Sequence, residues 1–517
     1  MRLPELKSLE IRPTLQALLI GITAAYCSMT PNLWPITLFV FIPFIALLEE
    51  KNISHAQAMK FGAFLGLGYS GTIFLWTTRL LGALLSTDLP STNSIVMFFI
   101  SWALIVFSHI PGYSLWAFAT KSLFSICKRY HLVSIGASIL FVVAELLNIC
   151  LYQLVFYGDG GTLAPHFSFA MSGYALAQNE IPLQYAWFGG VWLLSYIVIF
   201  ANFLLYKYFR DGEKMALYIL LTLVLVPCLT FFFRSSQFLN DAKTIKIGLV
   251  RTNVEADGVG VTSSIAEMRY RALNMQLLSL VGQRSQLIIL PEESGLARSQ
   301  FAMNESDVSR GSFQKLLGEG SVILDEGSEE IQGRTRARLR YWGAPHETYS
   351  DKHVLQAQGE YVPLFEAFLD GFTLEGKTKE ALDRFRTLSP GRIEDIVSIA
   401  NAKIAARSCS ESVSPFLYLY DAHVGAQLFV NVASHNWFPQ SEWLAYRTEN
   451  IAKEHAVESS RWYIQAGNET SSFVVNEMGI LVARVDEDHP RTIDVELHDE
   501  TTPYQAIANF FIYELGY

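Results

Sequence analysis

The chain has 517 residues and a net charge of −10, enough length for more than one domain, with no basic patch interleaved with aromatics of the kind that binds nucleic acid. Apolar residues make up 51% and charged residues only 17%, which excludes an ordinary soluble protein, and the excess lies before residue 236. Cys27, Cys127, Cys150 and Cys228 all fall in apolar segments, so no disulfide framework or metal-ligand spacing can be built from them. Neither a metal nor a cofactor is expected.

Apolar runs of the roughly 20 residues needed to cross a bilayer predict about seven spans, near 13–30, 33–49, 57–77, 94–119, 132–156, 183–206 and 215–233. The first is not a cleavable signal, because no small-residue cleavage site follows and a second span starts at once, at Trp34-Pro35. Lys and Arg gather at one set of span ends (Arg2, Lys7, Arg12, Lys51, Lys60, Lys121, Lys128, Arg129, Lys207, Arg210, Lys214), against only Arg79 and Arg234 at the other. This asymmetry puts the N-terminus in the cytoplasm and everything after Arg234 outside it. Glu145 lies within a span, where an ionisable group faces a bundle interior or a cavity. It either bonds neighbouring helices or serves a function. The segment 157–182 has no Lys or Arg and is rich in Gly and aromatics, and it reads as interfacial.

From Thr244 the pattern changes to alternating strands and helices, the rhythm of α/β layering. Thr244–Arg251 alternates as a strand, 263–281 carries a helical apolar face, and Leu287–Leu290 is a short buried strand. Ser321–Leu324 is another strand candidate, and Gly333–Tyr341 puts Arg334, Arg336, Arg338 and Arg340 on one face, expected to be solvated. The segment 364–388 is helical and acidic, an arm or a surface excursion. Lys403–Ser408 runs straight into Cys409, and Gln427–Val432 precedes Ser434-His435-Asn436-Trp437-Phe438.

Four signals in this half carry chemistry. Glu292 closes an apolar strand through Pro291, at a carboxyl end where α/β sheets place their sites. Lys352 follows a strand, and Glu360 lies eight residues on in a Gly-Glu-Tyr-Val-Pro turn. Cys409 follows a strand immediately, as a nucleophile on a tight turn would. Glu411, two residues later, holds that turn or tunes the thiol. A glutamate, a lysine and a cysteine in this order are the parts of a thiol acyl-transfer site: nucleophile, base for its proton, and cation for the oxyanion.

These residues resemble a known family, the apolipoprotein N-acyltransferases, a membrane-embedded branch of the nitrilase (carbon–nitrogen hydrolase) superfamily. The strand-Pro-Glu motif matches Leu287–Glu292, the Lys-to-Glu-Tyr-Val-Pro motif matches Lys352–Pro363, and the Cys-x-Glu motif matches Cys409-Ser410-Glu411. The similarity continues through Trp437-Phe438, Glu458, Arg461 and Asn468, and in the membrane half through Gly173–Gln178 and Gly189–Ser195. It implies a fold: a polytopic α-helical bundle over 1–236 and an α/β nitrilase-like αββα sandwich over 237–500; the tail over 501–517 is expected, from its short apolar run and against the family pattern, not to span. It also implies a reaction. Cys409 takes an acyl chain from a phospholipid as a thioester and passes it to the α-amine of a lipoprotein's N-terminal diacylglyceryl-cysteine. Glu292 is then the base and Lys352 the oxyanion cation, with Glu360 and Glu411 in support. The expected setting is the bacterial inner membrane, with the catalytic domain on the periplasmic side of a monomer.

The chain departs from the family pattern at Ala357-Gln358, at Ser410, at Ala433–Asn436 and at Glu469-Thr470, and 254–262 has no aromatic. Residues 506–513 are too few for the family's final span. Two other readings stay open: a membrane-tethered amidase of the same superfamily, and a weakened homologue that binds lipid or a partner.

Overall fold

The computed structural model describes residues 13–81, 92–237, 243–253, 263–292, 294, 320–373, 388–393, 396–438, 441–485 and 489–515. Its N-terminal half is helical: α1 (Pro13–Met29), α2 (Trp34–Thr37), α3 (Ile42–Glu49), α4 (His55–Ile73), α5 (Thr92–Ser108), α6 (Ile110–Ile126), α7 (Tyr130–Val155), α8 (Glu180–Leu183), α9 (Ala186–Asp211) and α10 (Lys214–Gln237). Among the described residues, four helices are long and apolar enough to cross a membrane: 95–126, 130–155, 186–211 and 214–236. Fewer helices therefore pass that measure than the seven expected. The run expected as one span near 94–119 is α5 and α6, joined at His109 just before Pro111, where the missing N–H breaks the ladder. The apolar segments 13–29 and 34–49 are shorter helices, the second interrupted after Thr37. Helix α10 presents Leu221, Val224, Leu225, Leu229, Phe232 and Phe233 outward, as a lipid-facing helix does.

The second half is two facing six-stranded sheets, which accounts for the αββα expectation residue by residue. In the first, β12 (Arg491–Glu496), β1 (Thr244–Leu249), β2 (Leu287–Ile289), β3 (Val322–Ile331), β4 (Arg334–Trp342) and β5 (Tyr349–Asp351) lie side by side. In the second the order is β11 (Leu481–Val485), β10 (Ser472–Val475), β9 (Trp462–Asn468), β8 (Leu428–Ser434), β7 (Ala402–Ser408) and β6 (Ile396–Ile399). Strands β1–β2–β3 and β7–β8–β9 are parallel, and the flanking strands are antiparallel. Period-2 alternation sends Ile245, Ile247, Leu287 and Ile289 from one sheet against Ile404, Val430 and Ile464 from the other. The opposite faces are covered by helices. Leu273, Leu277 and Leu280 of α11 (Ser263–Gly282) pack on Ile288 and Leu290. Tyr418 of α13 (Leu417–His423), with Ala452 and Ala456 of α14 (Glu442–Ser459), packs on Ala405, Phe429 and Tyr463. Of the 364–388 segment only the first helix, α12 (Leu364–Thr373), is described, and 374–387 lies outside the described residues, as does the aromatic-free stretch 254–262.

The segment 157–182 corrects an expectation. It is not a lipid-facing surface: Phe167–Ala177 is buried, wedged between the bundle and the sandwich. Its backbone polar groups are satisfied from both sides, which burial requires. Glu145 accepts the Ser172 N–H at 2.7 Å, Ser195 Oγ accepts the Gly173 N–H at 3.0 Å, and Ser168 Oγ donates to the Val413 carbonyl at 2.6 Å. Glu145 therefore has a helix-bonding role. The fully buried Arg447 of α14 gives Nε and Nη2 to the Phe169 carbonyl at 2.9 and 2.7 Å and Nη2 to the Met171 carbonyl at 2.5 Å. A second tie is Arg234, near the end of α10, which donates to Gln184 Oε1 (2.6 Å), Ser460 Oγ (3.0 Å) and the Glu477 carbonyl (2.7 Å). The sequence's last described helix, α15 (Pro503–Leu515), is 13 residues long and packs through Tyr504 on Leu419 and Tyr420 of the sandwich.

Arg447→Met keeps the apolar stem but leaves two buried carbonyls without donors, at a cost of about 1–3 kcal/mol each. The variant is expected to unfold at lower temperature in detergent and to be cut faster by protease within 157–182. Wild-type resistance at that segment would contradict the joint described here.

Candidate active site

The carboxyl ends of the central strands converge on one edge of the sandwich. Pro291-Glu292 follows β2, Lys352 follows β5, Cys409 follows β7, Ser434 ends β8 and Asn468 ends β9. Strand β5 runs in the direction of β3, two antiparallel steps away, so its end reaches the same edge. Separations of tens of residues in the chain thus collapse to neighbouring strand ends.

Lys352 is 2% exposed, so it is not a solvated surface lysine. Its backbone is fixed on both sides: the N–H donates to the Ala337 carbonyl and the C=O accepts from the Gly391 N–H. Its ammonium donates to Glu360 Oε1 at 2.6 Å, and Glu360 Oε2 accepts the Gln356 N–H at 2.7 Å. Burial alone would push the ammonium pKa down. Glu360, then Cys409, Glu292 and Glu411 outweigh it and hold the group above its ordinary value. Lys352 is therefore held in its charged form, favoured by Cys409 and Glu292 as well as by Glu360.

Glu411 makes the turn. Its Oε2 accepts the Ser408 N–H at 2.9 Å, a reciprocal cap on the Cys409–Val413 3₁₀ turn, while Oε1 accepts the His353 and Val354 N–H groups at 2.9 and 3.1 Å. One buried carboxylate thus fastens the nucleophile turn to the strand exit that carries Lys352. Cys409 itself has φ +47, a left-handed conformation that costs a non-glycine residue about 1–3 kcal/mol and marks functional turns. Its Sγ lies 3.9 Å from the Ser434 carbonyl. Behind it, Asn468 Nδ2 donates to Ser434 Oγ at 3.0 Å and Thr252 Oγ1 donates to Asn468 Oδ1 at 2.8 Å, a polar chain linking the two sheets under the site.

The thiol departs from expectation. A neighbouring Lys352 predicts a lowered pKa, but burial and then the charge of Glu292 push the Cys409 thiol well above its ordinary value, with Lys352 only partly opposing them. The resting group is a neutral thiol and needs a base to ionise it. His435, in the departure 433–436, is also buried; desolvation lowers its pKa to about 4, so it is neutral at pH 7. The arginine face expected to be solvated is an ion-pair ladder instead. Arg338, 7% exposed, grips Asp351 with Nε at 2.6 Å and Nη2 at 3.0 Å, with Arg336 also on Asp351 at 3.0 Å. Alternation alone revealed the shared face, but not that the residue before Lys352 would be paired to it.

An aromatic seam leaves this site toward the bundle. Phe438 packs edge-on against Trp76 (4.8 Å between ring centres), Trp76 against Phe169 (5.2 Å), Phe169 against Phe167 (6.2 Å) and Phe167 against Tyr152 (4.4 Å).

Fold and site together define a helical, membrane-type bundle carrying an αββα sandwich with a cysteine on a strained turn at its strand ends. Residues 20–204 match the family model described as the apolipoprotein N-acyltransferase N-terminal domain. The chain is 21% identical over 490 residues to an apolipoprotein N-acyltransferase of Geobacter metallireducens, covering 93% of this chain and 88% of that one. Both similarities agree with the resemblance that its motifs carry. Solved structures similar to the sandwich include Saccharomyces cerevisiae Nit3, a member of branch 10 of the nitrilase superfamily (14% identity, TM-score 0.36, 53% of this chain and 94% of that one). An amidase from Nesterenkonia sp. is another (14% identity, TM-score 0.37, 54% and 99%).

Because the folded thiol holds its proton to higher pH than an ordinary cysteine, whose pKa is about 8.5, its alkylation rate should still be climbing where a free thiol has levelled off. Removing the cation in Lys352→Met should slow alkylation further at each pH. Iodoacetamide rates on Cys409 between pH 6 and 10, read by peptide mass spectrometry, check both. A plateau at or below the free-thiol pKa would contradict the electrostatics described.

Proposed function

We propose that the protein is an N-acyltransferase of the inner membrane of a bacterium. It moves a fatty acyl chain from a phospholipid, through a thioester on Cys409, to the α-amine of a diacylglyceryl-cysteine at a lipoprotein's N-terminus. The observation that carries this reading is the buried, charged Lys352, held by Glu360 at 2.6 Å and coupled to both Cys409 and Glu292. A permanently charged ammonium beside a neutral thiol and a carboxylate has the composition needed for acyl transfer and no need of a metal or cofactor.

Glu292 takes the Cys409 proton as Sγ attacks the phospholipid ester carbonyl, and the oxyanion forms beside Lys352 Nζ. Collapse breaks the ester C–O bond, the lysophospholipid oxygen leaves with the proton from Glu292, and the acyl chain stays on sulfur. In the second half Glu292 takes a proton from the attacking amine and returns it to the leaving sulfur. One ester has become one amide and the thiol is restored. The apolar helices and the aromatic seam from Phe438 to Tyr152 favour a long-chain donor over the small amides of a soluble amidase. The similarity to the Geobacter metallireducens protein supports the lipoprotein acceptor. The positive-inside asymmetry supports a sandwich on the outer face of that membrane, where a monomer would act on lipid and lipoprotein.

The test is intact-mass spectrometry of the full chain in detergent with phosphatidylethanolamine vesicles. The expected result is a long-chain adduct on Cys409 that persists until a diacylglyceryl-cysteine peptide is added, and then moves to that peptide. Cys409→Ser should lower transfer by at least about 10⁴-fold, and Lys352→Met, which removes an oxyanion donor, by about 10²–10³-fold. An adduct that water removes at once would favour the amidase, and no adduct would favour a binding module.

A further inference from the structure

Beneath the nucleophile turn lies a second polar group that the acyl-transfer reading does not use. Glu454, His455 and Glu458 of α14 are 0, 0 and 1% exposed. His455 Nε2 donates to the Ser412 carbonyl at 2.9 Å, which commits that nitrogen's proton. Its Nδ1 lone pair then faces Glu458 Oε1 at 2.8 Å and Glu454 Oε2 at 3.4 Å. Three electron-pair donors, one from each side chain, lie within 4.8 Å of one another. Neither carboxylate oxygen of Glu454 has a partner at hydrogen-bonding geometry, although the Val191 N–H lies on its side and favours its charged form.

Two buried carboxylates require neutralisation. Protons neutralise the group when both carboxyls carry one, Glu454 bonding Glu458 and Glu458 bonding Nδ1. A divalent cation satisfies all three donors at once and brings the net charge to zero. The His455 arrangement is the one metal-bound imidazoles adopt, with the far ring N–H tied to a backbone carbonyl. Space is also provided where α9 breaks. Gly190, at φ +56, has no side chain, and a Cβ there would come within 2.8 Å of Glu458 Oε2 and 2.5 Å of the Tyr504 ring.

We propose that Glu454, His455 and Glu458 form a buried site for a first-row divalent cation of the zinc class. The ligands would be His455 Nδ1 and one oxygen from each carboxylate, a nitrogen-and-oxygen set such ions accept at about 2.0–2.2 Å. The ion would lock these three α14 side chains in one arrangement beside the broken α9. Through Ser412, three residues past Cys409, it would also brace the nucleophile turn. Unlike a catalytic zinc it is sealed from solvent, so its role is structural.

The experiment uses the full chain purified in detergent without chelator, loaded with Zn²⁺ and desalted, its metal content read by plasma mass spectrometry and its melting followed with Zn²⁺ and with chelator. The expected result is about one zinc per chain, a melting temperature raised by Zn²⁺ and lowered by chelator, and nitrogen-and-oxygen ligands at the zinc X-ray absorption edge. The paired substitution Glu454→Gln and Glu458→Gln keeps shape and hydrogen-bonding reach, and should abolish both retention and the melting response. If that variant does not fold, the wild-type measurements decide alone. Sub-stoichiometric zinc with no melting response would overturn the proposal in favour of a protonated carboxyl pair, as would unchanged retention in the double variant. These readouts do not depend on acyl transfer, so their failure and that of the enzymatic reading are separable.

Discussion

The site depends on one carboxylate. Glu411 accepts three backbone N–H groups, one from the strand that delivers Cys409 and two from the residues immediately after Lys352. The two sheets of the sandwich meet through apolar side chains, and apolar contact is non-directional, so it cannot set the register of one strand end against another to a fraction of an ångström. Three hydrogen bonds to a single buried ionised group can, and charge-assisted bonds are the stronger kind. With that register set, the left-handed turn at Cys409 is tolerable, because its strain is opposed by contacts on both sides of the residue.

The membrane half contributes to the same arrangement. The Val413 carbonyl, at the far end of the nucleophile turn, receives both the N–H and the Oγ–H of Ser168 from the buried joint segment. Arg447 holds the next stretch of that segment from the sandwich side, and Glu145 holds it from the bundle side. The turn is thus braced from above by Glu411 and from below by a strap that exists only because the two halves are packed together. This makes the helical half more than an anchor: the geometry around Cys409 rests partly on residues from 157 to 178.

Much of this was legible in the sequence, and what was not has a physical reason. Strand exits at Glu292 and Cys409 followed from short apolar runs with abrupt polar ends, and Lys352 and Glu360 from the spacing of a motif. The role of Glu411 was left between holding the turn and tuning the thiol, since two residues of separation says nothing about which N–H groups converge on a carboxylate. The joint segment was misread because hydrophobicity without Lys or Arg describes a lipid surface and a buried interface equally well. Strand periodicity identified the arginine face, but Arg338 is buried by Asp351 and Tyr349, partners brought in by a different strand. Glu454 and His455 carry no signal in the sequence, because adjacent helix positions normally point apart and the pair falls in no cysteine-based metal spacing.

The direction of the Cys409 shift bears on how such a site works. A thiol kept ionised by a nearby cation would be open to oxidation and stray alkylation throughout its resting life. Here the carboxylate of Glu292 and burial favour the protonated form, while Lys352 is committed to Glu360. The balance can reverse only when a carbonyl is present. In the proposed reaction, negative charge would pass from sulfur to the carbonyl oxygen as the proton moved to Glu292, removing the charge that opposes the thiolate, and Lys352 would face the new oxyanion. On that proposal, two ionisable partners that oppose each other at rest would act together in the transition state, the differential stabilisation catalysis requires.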